Sequence, residues 1–182
     1  MSNPTNLEEE FELTFLAKSI PKEIKGVEPQ KMRDTYLPQD SEHPHVRLRQ
    51  KNDHYEITKK QPVNQSDISH QTEQTIPLDQ EEYETLDQVS KRSVTKDRYV
   101  VNLNGHTAEI DVFTDGLKGL VVIDFEFENH EEKTAFMPPE CCLAEITQEN
   151  FIAGGMLAGK SYSDIEADLK RYGYKPLSLC EF

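Results

Sequence analysis

Glu10 and Glu12 are separated by a single residue in the stretch Glu10-Phe11-Glu12-Leu13-Thr14-Phe15-Leu16. Side chains on an extended strand alternate between two faces. The two carboxylates therefore share one face, and Phe11, Leu13 and Phe15 share the other. Paired carboxylates can hold a hard divalent cation when neighbouring strands bring more oxygen ligands. The chain repeats this scheme. Glu109 and Asp111 oppose Ile110 and Val112, and Asp124, Glu126 and Glu128 oppose Ile123, Phe125 and Phe127. Other segments carry positive charge on the polar face. Arg47 and Arg49 oppose Val46 and Leu48, Lys96 and Arg98 oppose Tyr99 and Val101, and Lys60, on a mixed face with Glu56 and Thr58, opposes Tyr55 and Ile57.

A half-buried sheet with one solvated face also gives amphipathic strands, but such faces usually mix signs and use Thr, Ser and Gln freely. Here most polar faces keep one sign. A closed barrel accounts for this, with apolar faces turned outward under helices and charged faces turned into the lumen. Carboxylates confined together repel one another and lose hydration, and Mg²⁺ or Mn²⁺ between them relieves both costs. The arginines and lysines then call for an anion, and a polyphosphate matches their donors.

The elements that must position these residues are short. Strands are expected at 10–16, 31–37, 46–49, 55–60, 71–76, 93–103, 107–113 and 120–128, with a loop over 61–70 and a hairpin turn at Asn104-Gly105. Asp79 with Glu82 opens a helix, and Asn129 with Glu132 caps a short one that Pro138-Pro139 ends. Residues 150–157 read as helical. A last helix has Ser163 as its cap, Ile165, Leu169 and Tyr172 on one face, and Gly173 as its stop. The expected fold is α+β, an eight-stranded antiparallel tunnel with a charged interior and flanking helices.

The whole chain, 182 residues, suits a single domain. Residues 1–8 are polar and expected to fray. A net charge of −14 argues against nonspecific nucleic-acid binding. No apolar run suits a membrane span or a signal peptide. Three cysteines, the adjacent Cys141-Cys142 and Cys180, suggest neither a disulfide framework nor a zinc site, so a reduced cytoplasm is expected. His43 and His45 read as solvated loop residues, Cys141-Cys142 as small-residue packing, and Ser161 and Ser163 as helix caps. There is no P-loop and no GxSxG elbow.

The ordered set of charged strands resembles the CYTH superfamily, the triphosphate tunnel metalloenzymes. Glu10-Phe11-Glu12 resembles the ExExK signature. The likeness continues through Thr35-Tyr36-Leu37, Arg47-Leu48-Arg49, Tyr55 to Lys60, Glu73 to Ile76, Lys96 to Tyr99, Glu109 to Phe113, Gly119 to Glu128 and Glu145-Ile146-Thr147. The resemblance implies a tunnel that binds a triphosphate-bearing small molecule with Mg²⁺ or Mn²⁺. On matching positions it implies Glu10, Glu12 and Glu126 as metal ligands. Glu73, Asp111 and Asp124 are implied as ligands of a second metal or of its water, and as the catalytic groups. Arg47, Arg49, Lys60, Lys96 and Arg98 are the implied phosphate clamp. Glu109 and Glu145 fit the pattern without an assigned role, and a homodimer is left open.

Four departures stand out. Thr14 replaces the signature lysine, with Lys18 as a candidate substitute. Asp124 stands where glutamate is usual, Ser69 or His70 where an arginine is common, and Gly154-Gly155 where asparagine and lysine are common. The function expected is metal-dependent hydrolysis of a triphosphate, most simply inorganic tripolyphosphate. The alternatives are a class IV-like adenylate cyclase and a non-catalytic polyphosphate- or nucleotide-binding module. A lipocalin-like carrier would need an apolar lumen.

Overall fold

The computed structural model describes residues 8–64 and 67–179. Residues 1–7 of the segment expected to fray, and Cys180, lie outside the described residues. The strands are β1 Glu8–Ala17, β2 Gln30–Leu37, β3 Val46–Lys51, β4 His54–Asn64, β5 Asp67–Leu78, β6 Ser93–Leu103, β7 His106–Phe113, β8 Val121–Phe127 and β9 Cys142–Glu145. Around the wall the order is β1-β8-β7-β6-β2-β3-β4-β5, and β5 pairs back onto β1. Every pairing is antiparallel. Eight strands close the expected barrel.

The short β9 is an addition. It shares one edge of β1 with β5. Strand β5 faces Glu8–Phe11, and β9 faces Phe15–Ala17. Just before β9's share, Thr147 Oγ1 accepts the Thr14 N–H at 3.0 Å, and the Ile146 N–H donates to the Thr14 carbonyl at 2.8 Å.

Within the segment 61–70, expected as a loop, residues 61–64 instead extend β4 and residues 67–70 extend β5, while 65 and 66 lie outside the described residues. Pro62 opposes Gln71 beside a register shift. Pairing between the two hairpin arms carries the backbone where side-chain patterning is weak, and Pro is tolerated at such an irregularity.

The outward faces of Phe15, Tyr99, Ile110, Val112, Ile123, Phe125 and Phe127 form one apolar cluster, covered by Ile24 and Phe136. Phe136 follows α2 His130–Ala135, which Asn129 caps as expected. Helix α1 Gln80–Asp87 begins with the expected Asp79–Glu82 box, and its Asp87 binds Arg33 of β2 at 2.7 Å.

At one end of the barrel the inward face turns apolar. Leu16, Tyr36, Val94, Phe113 and Val122 have the same strand parity as the lumen charges but lie beyond them, and they pack with Leu157, Ile165 and Leu169. Ile165 and Leu169 of α4 Tyr162–Lys170 are fully buried, each contributing roughly 1.5–3 kcal/mol. This plug closes that end.

Two helix expectations are corrected. Helix α4 is capped by Ser161 with Asp164, not by Ser163, and the earlier frame lets Tyr162 pack on the plug. Residues 150–157 are not one helix. A turn over Asn150–Ile152 breaks at the extended Ala153 before the single turn α3 Gly154–Leu157. Gly154-Gly155 has low helix propensity, and the Tyr36 hydroxyl lies where a Gly154 side chain would go.

Candidate active site

The lumen holds a cavity of about 370 Å³. Glu10, Glu12, Arg47, Arg49, Lys60, Glu73, Lys96, Arg98, Asp111, Asp124 and Glu126 all line it, so every site residue named from sequence arrives at one place. Glu109 lines it too. Glu145 does not, being exposed on β9. Lys18 is exposed beyond the end of β1 and does not replace the lysine absent at Thr14. His43 and His45 are exposed, with His45 at the cavity rim. Cys141 and Cys142 are half-buried against the outer cluster.

Strand order sorts the charges. Adjacent β1, β8 and β7 carry Glu10, Glu12, Asp124, Glu126, Glu109 and Asp111, while adjacent β3 and β4 carry Arg47, Arg49 and Lys60. Cross-strand register sets Glu12 against Glu126, and Asp124 against both Thr14 and Glu109.

Several charges are pinned in pairs. Arg98 grips Asp111 through Nε–Oδ1 at 2.6 Å and Nη2–Oδ2 at 2.7 Å, and also bonds Glu109. Lys96 donates to the same Asp111. Burial alone would raise the Asp111 pKa, but Arg98 and Lys96 pull it down to about 2. Arg47 Nη2 lies 3.5 Å from Glu73. Lys60 Nζ lies 2.7 Å from Glu10 Oε2 and 3.0 Å from Glu12 Oε2. Burial opposes the charge on Lys60, and Glu12 and Glu10 outweigh it, so the ammonium is firmly protonated.

Other groups are short of partners. Burial, with Glu12 and Asp111 close by, pushes the Asp124 carboxyl up to about 8, although Arg98 stands 3.8 Å away. Glu126 is raised by burial and by Glu109, Glu10 and Glu12. On the opposite side, Arg47 Nε is buried without an acceptor.

These residues fit a hard cation. Glu10, Glu12, Asp124 and Glu126 are oxygen donors on two adjacent strands, and burial together with neighbouring carboxylates raises two of them. No three acids among the described residues already converge as a metal cage; Lys60 takes up Glu10 and Glu12 instead. The orphaned Arg47 donor fits an anion.

Sequence reasoning missed Asp34, which is 1% exposed and lines the lumen beside Arg49. It also missed Thr147 and Lys51 on the cavity wall. Asp34 follows the parity of Met32 and Tyr36, a mixed face that shows no charge pattern.

Comparison with known proteins places residues 7–137 within the CYTH domain model. An inorganic triphosphatase of Nitrosomonas europaea is 31% identical over 142 residues, covering 77% of this chain and 90% of that protein. The crystal structure of an inorganic triphosphatase superposes with a TM-score of 0.60 at 28% identity, covering 82% of this chain and 93% of that one. A Bacillus halodurans protein provisionally assigned as an adenylate cyclase shares the fold, with a TM-score of 0.54 at 16% identity. That match covers 88% of this chain and 97% of the other.

Proposed function

The chain belongs to the CYTH domain family, and from that premise we propose that it hydrolyses a triphosphate, most simply inorganic tripolyphosphate, inside the barrel. The observation that carries this reading is one cavity lined by clustered carboxylates of β1, β8 and β7 and by cations of β3, β4 and β6, with the Arg47 Nε buried without an acceptor and the Asp124 and Glu126 carboxyls raised by burial and neighbouring acids.

Arg47, Arg49, Lys60, Lys96 and Arg98 bind the phosphate oxygens. Glu10, Glu12, Asp124 and Glu126 hold Mg²⁺ or Mn²⁺. When bound, the ion neutralises phosphate oxygens and makes its water more acidic. Asp111 and Glu73, proposed from sequence as ligands, already face cations; they position Lys96, Arg98 and Arg47. Asp34 does the same for Arg49. As a carboxylate, Asp124 would accept the proton of the attacking water on an oxygen not engaged with the ion. Fixed charges around an enclosed site cost little reorganisation in the transition state.

No helix among the described residues is long and apolar enough to cross a membrane. We take the partner to be a small phosphorylated molecule rather than nucleic acid, and the setting to be cytoplasmic. The test supplies purified protein with Mg²⁺ or Mn²⁺ and offers tripolyphosphate, ATP and thiamine triphosphate. Phosphate release by the wild type and its loss in Glu12→Gln are expected. No release from any substrate refutes hydrolysis, and cyclic AMP from ATP assigns a cyclase instead.

A further inference from the structure

Lys60 stands on β4, yet its ammonium reaches past β5 to the two glutamates of β1. Thr14, the next lumen-facing residue after Glu12, brings only a hydroxyl, 3.3 Å from Glu12 Oε1. Lys60 is the one cation within 4 Å of either glutamate among the described residues. Its situation differs from that of its neighbours. Arg49 and Arg98 are each fixed by two bonds to a buried aspartate, Asp34 and Asp111. A lysine is a point charge on a flexible stem, with no planar fork to lock it.

We propose that Lys60 is a mobile counter-cation that occupies the Glu10–Glu12 pair in the free protein and must leave it for a phosphate oxygen when divalent cation and triphosphate enter. This rests on the functional reading above and adds an order to it. The ammonium hydrogen-bonds Glu12 Oε2 and forms an ion pair with Glu10 Oε2, which has no aligned hydrogen bond, so a divalent cation using both oxygens has to displace it. Displacement without an anion leaves the buried ammonium only Glu73, opposite it on β5 and already facing Arg47, as an alternative to the β1 pair. A triphosphate gives that ammonium a destination. Cation and triphosphate therefore bind with positive coupling, and the empty barrel is protected from tight loading by cation alone.

The experiment follows Mn²⁺ binding through the electron paramagnetic resonance signal of the free ion, using full-length wild type, Lys60→Gln, Arg47→Gln and Glu12→Gln. Without anion, Lys60→Gln is expected to bind Mn²⁺ at least ~10-fold tighter than wild type. Arg47→Gln, which removes a lumen charge that does not touch the glutamates, changes affinity much less, and Glu12→Gln weakens it. Imidotriphosphate, which is not hydrolysed, tightens Mn²⁺ binding to wild type, and that gain shrinks in Lys60→Gln.

Unchanged or weaker Mn²⁺ affinity in Lys60→Gln overturns the proposal, as does equal tightening in Arg47→Gln. Should Lys60→Gln not fold, absence of tightening by imidotriphosphate in the wild type overturns it as well. None of these readings needs turnover. A wild type that shows the pattern yet hydrolyses no triphosphate would refute the proposed activity and leave this inference standing.

Discussion

Arg49 and Asp34 meet inside the barrel in a two-point pair, Nε to Oδ1 at 2.7 Å and Nη2 to Oδ2 at 2.8 Å, directly opposite one another on β3 and β2. Both side chains are almost closed to water. Removing one partner leaves the other charge buried and alone, so Asp34→Asn should cost about 3–5 kcal/mol, read from urea unfolding. Replacing both with apolar residues, as in Asp34→Leu with Arg49→Met, should recover much of that stability but not turnover.

The same pair shapes stability in acid. Burial alone would raise the Asp34 pKa, but Arg49 holds the carboxyl well below the usual range. A depressed pKa in the fold means the contribution is complete above the unfolded value, near 3.9. It fades as pH falls towards the folded value. Melting temperature measured from pH 7 down to pH 2 should drop less steeply in Asp34→Asn than in wild type.

Asp124 acts with the opposite sign. Burial, Glu12 and Asp111 raise it to about 8, whereas the unfolded value is near 3.9. Between these pH values the folded chain holds more protons, so the metal-free protein loses stability as pH rises from about 4 to 8. Asp124→Asn should flatten this slope. Mg²⁺ or Mn²⁺ added at pH 8 should raise the melting temperature of wild type more than that of Asp124→Asn.

Thr14 lies opposite Asp124 across β1 and β8. A lysine at position 14 places an ammonium beside that carboxyl. Thr14→Lys should therefore lower the Asp124 pKa by about 1–3 units. If Asp124 is the base, the acid limb of the kcat profile with tripolyphosphate moves down by the same amount. An unmoved limb removes Asp124 from that role.

A methyl group on Gly154 would stand 2.0 Å from the Tyr36 hydroxyl oxygen and 2.9 Å from the ring carbon bearing it. Gly154→Ala must push the segment away or turn the tyrosine, at a cost of about 1–3 kcal/mol. Tyr36→Phe removes the nearer obstacle, so the double variant should regain part of the loss in thermal melting.

Strand parity made most of the lumen legible, because alternation survives wherever one face is ionic and the other greasy. Glu10 to Phe15, Glu109 to Val112 and Ile123 to Phe127 follow it throughout. Strand β2 hid its site residue because its inward face is mixed: Asp34 sits between Met32 and Tyr36, all nearly closed to water, so a lone carboxylate among apolar neighbours shows no charge pattern. The plug was hidden for a related reason. Leu16, Val94, Phe113 and Val122 share the parity of the charges, so only the height of each residue in the barrel tells lumen from stopper. The ends of β4 and β5 depend on pairing between arms, which side-chain pattern does not record. Lys60's hold on Glu10 and Glu12 joins residues about fifty positions apart.

On the edge of β1 that β5 and β9 share, neither strand faces Glu12 or Leu13, and the Gln148 side chain spans the gap to Asp67 and the Ile68 backbone. At the height of Glu12 that side of the wall is therefore joined through side chains rather than a backbone ladder, and Gln148 is the residue that bridges the two fastenings.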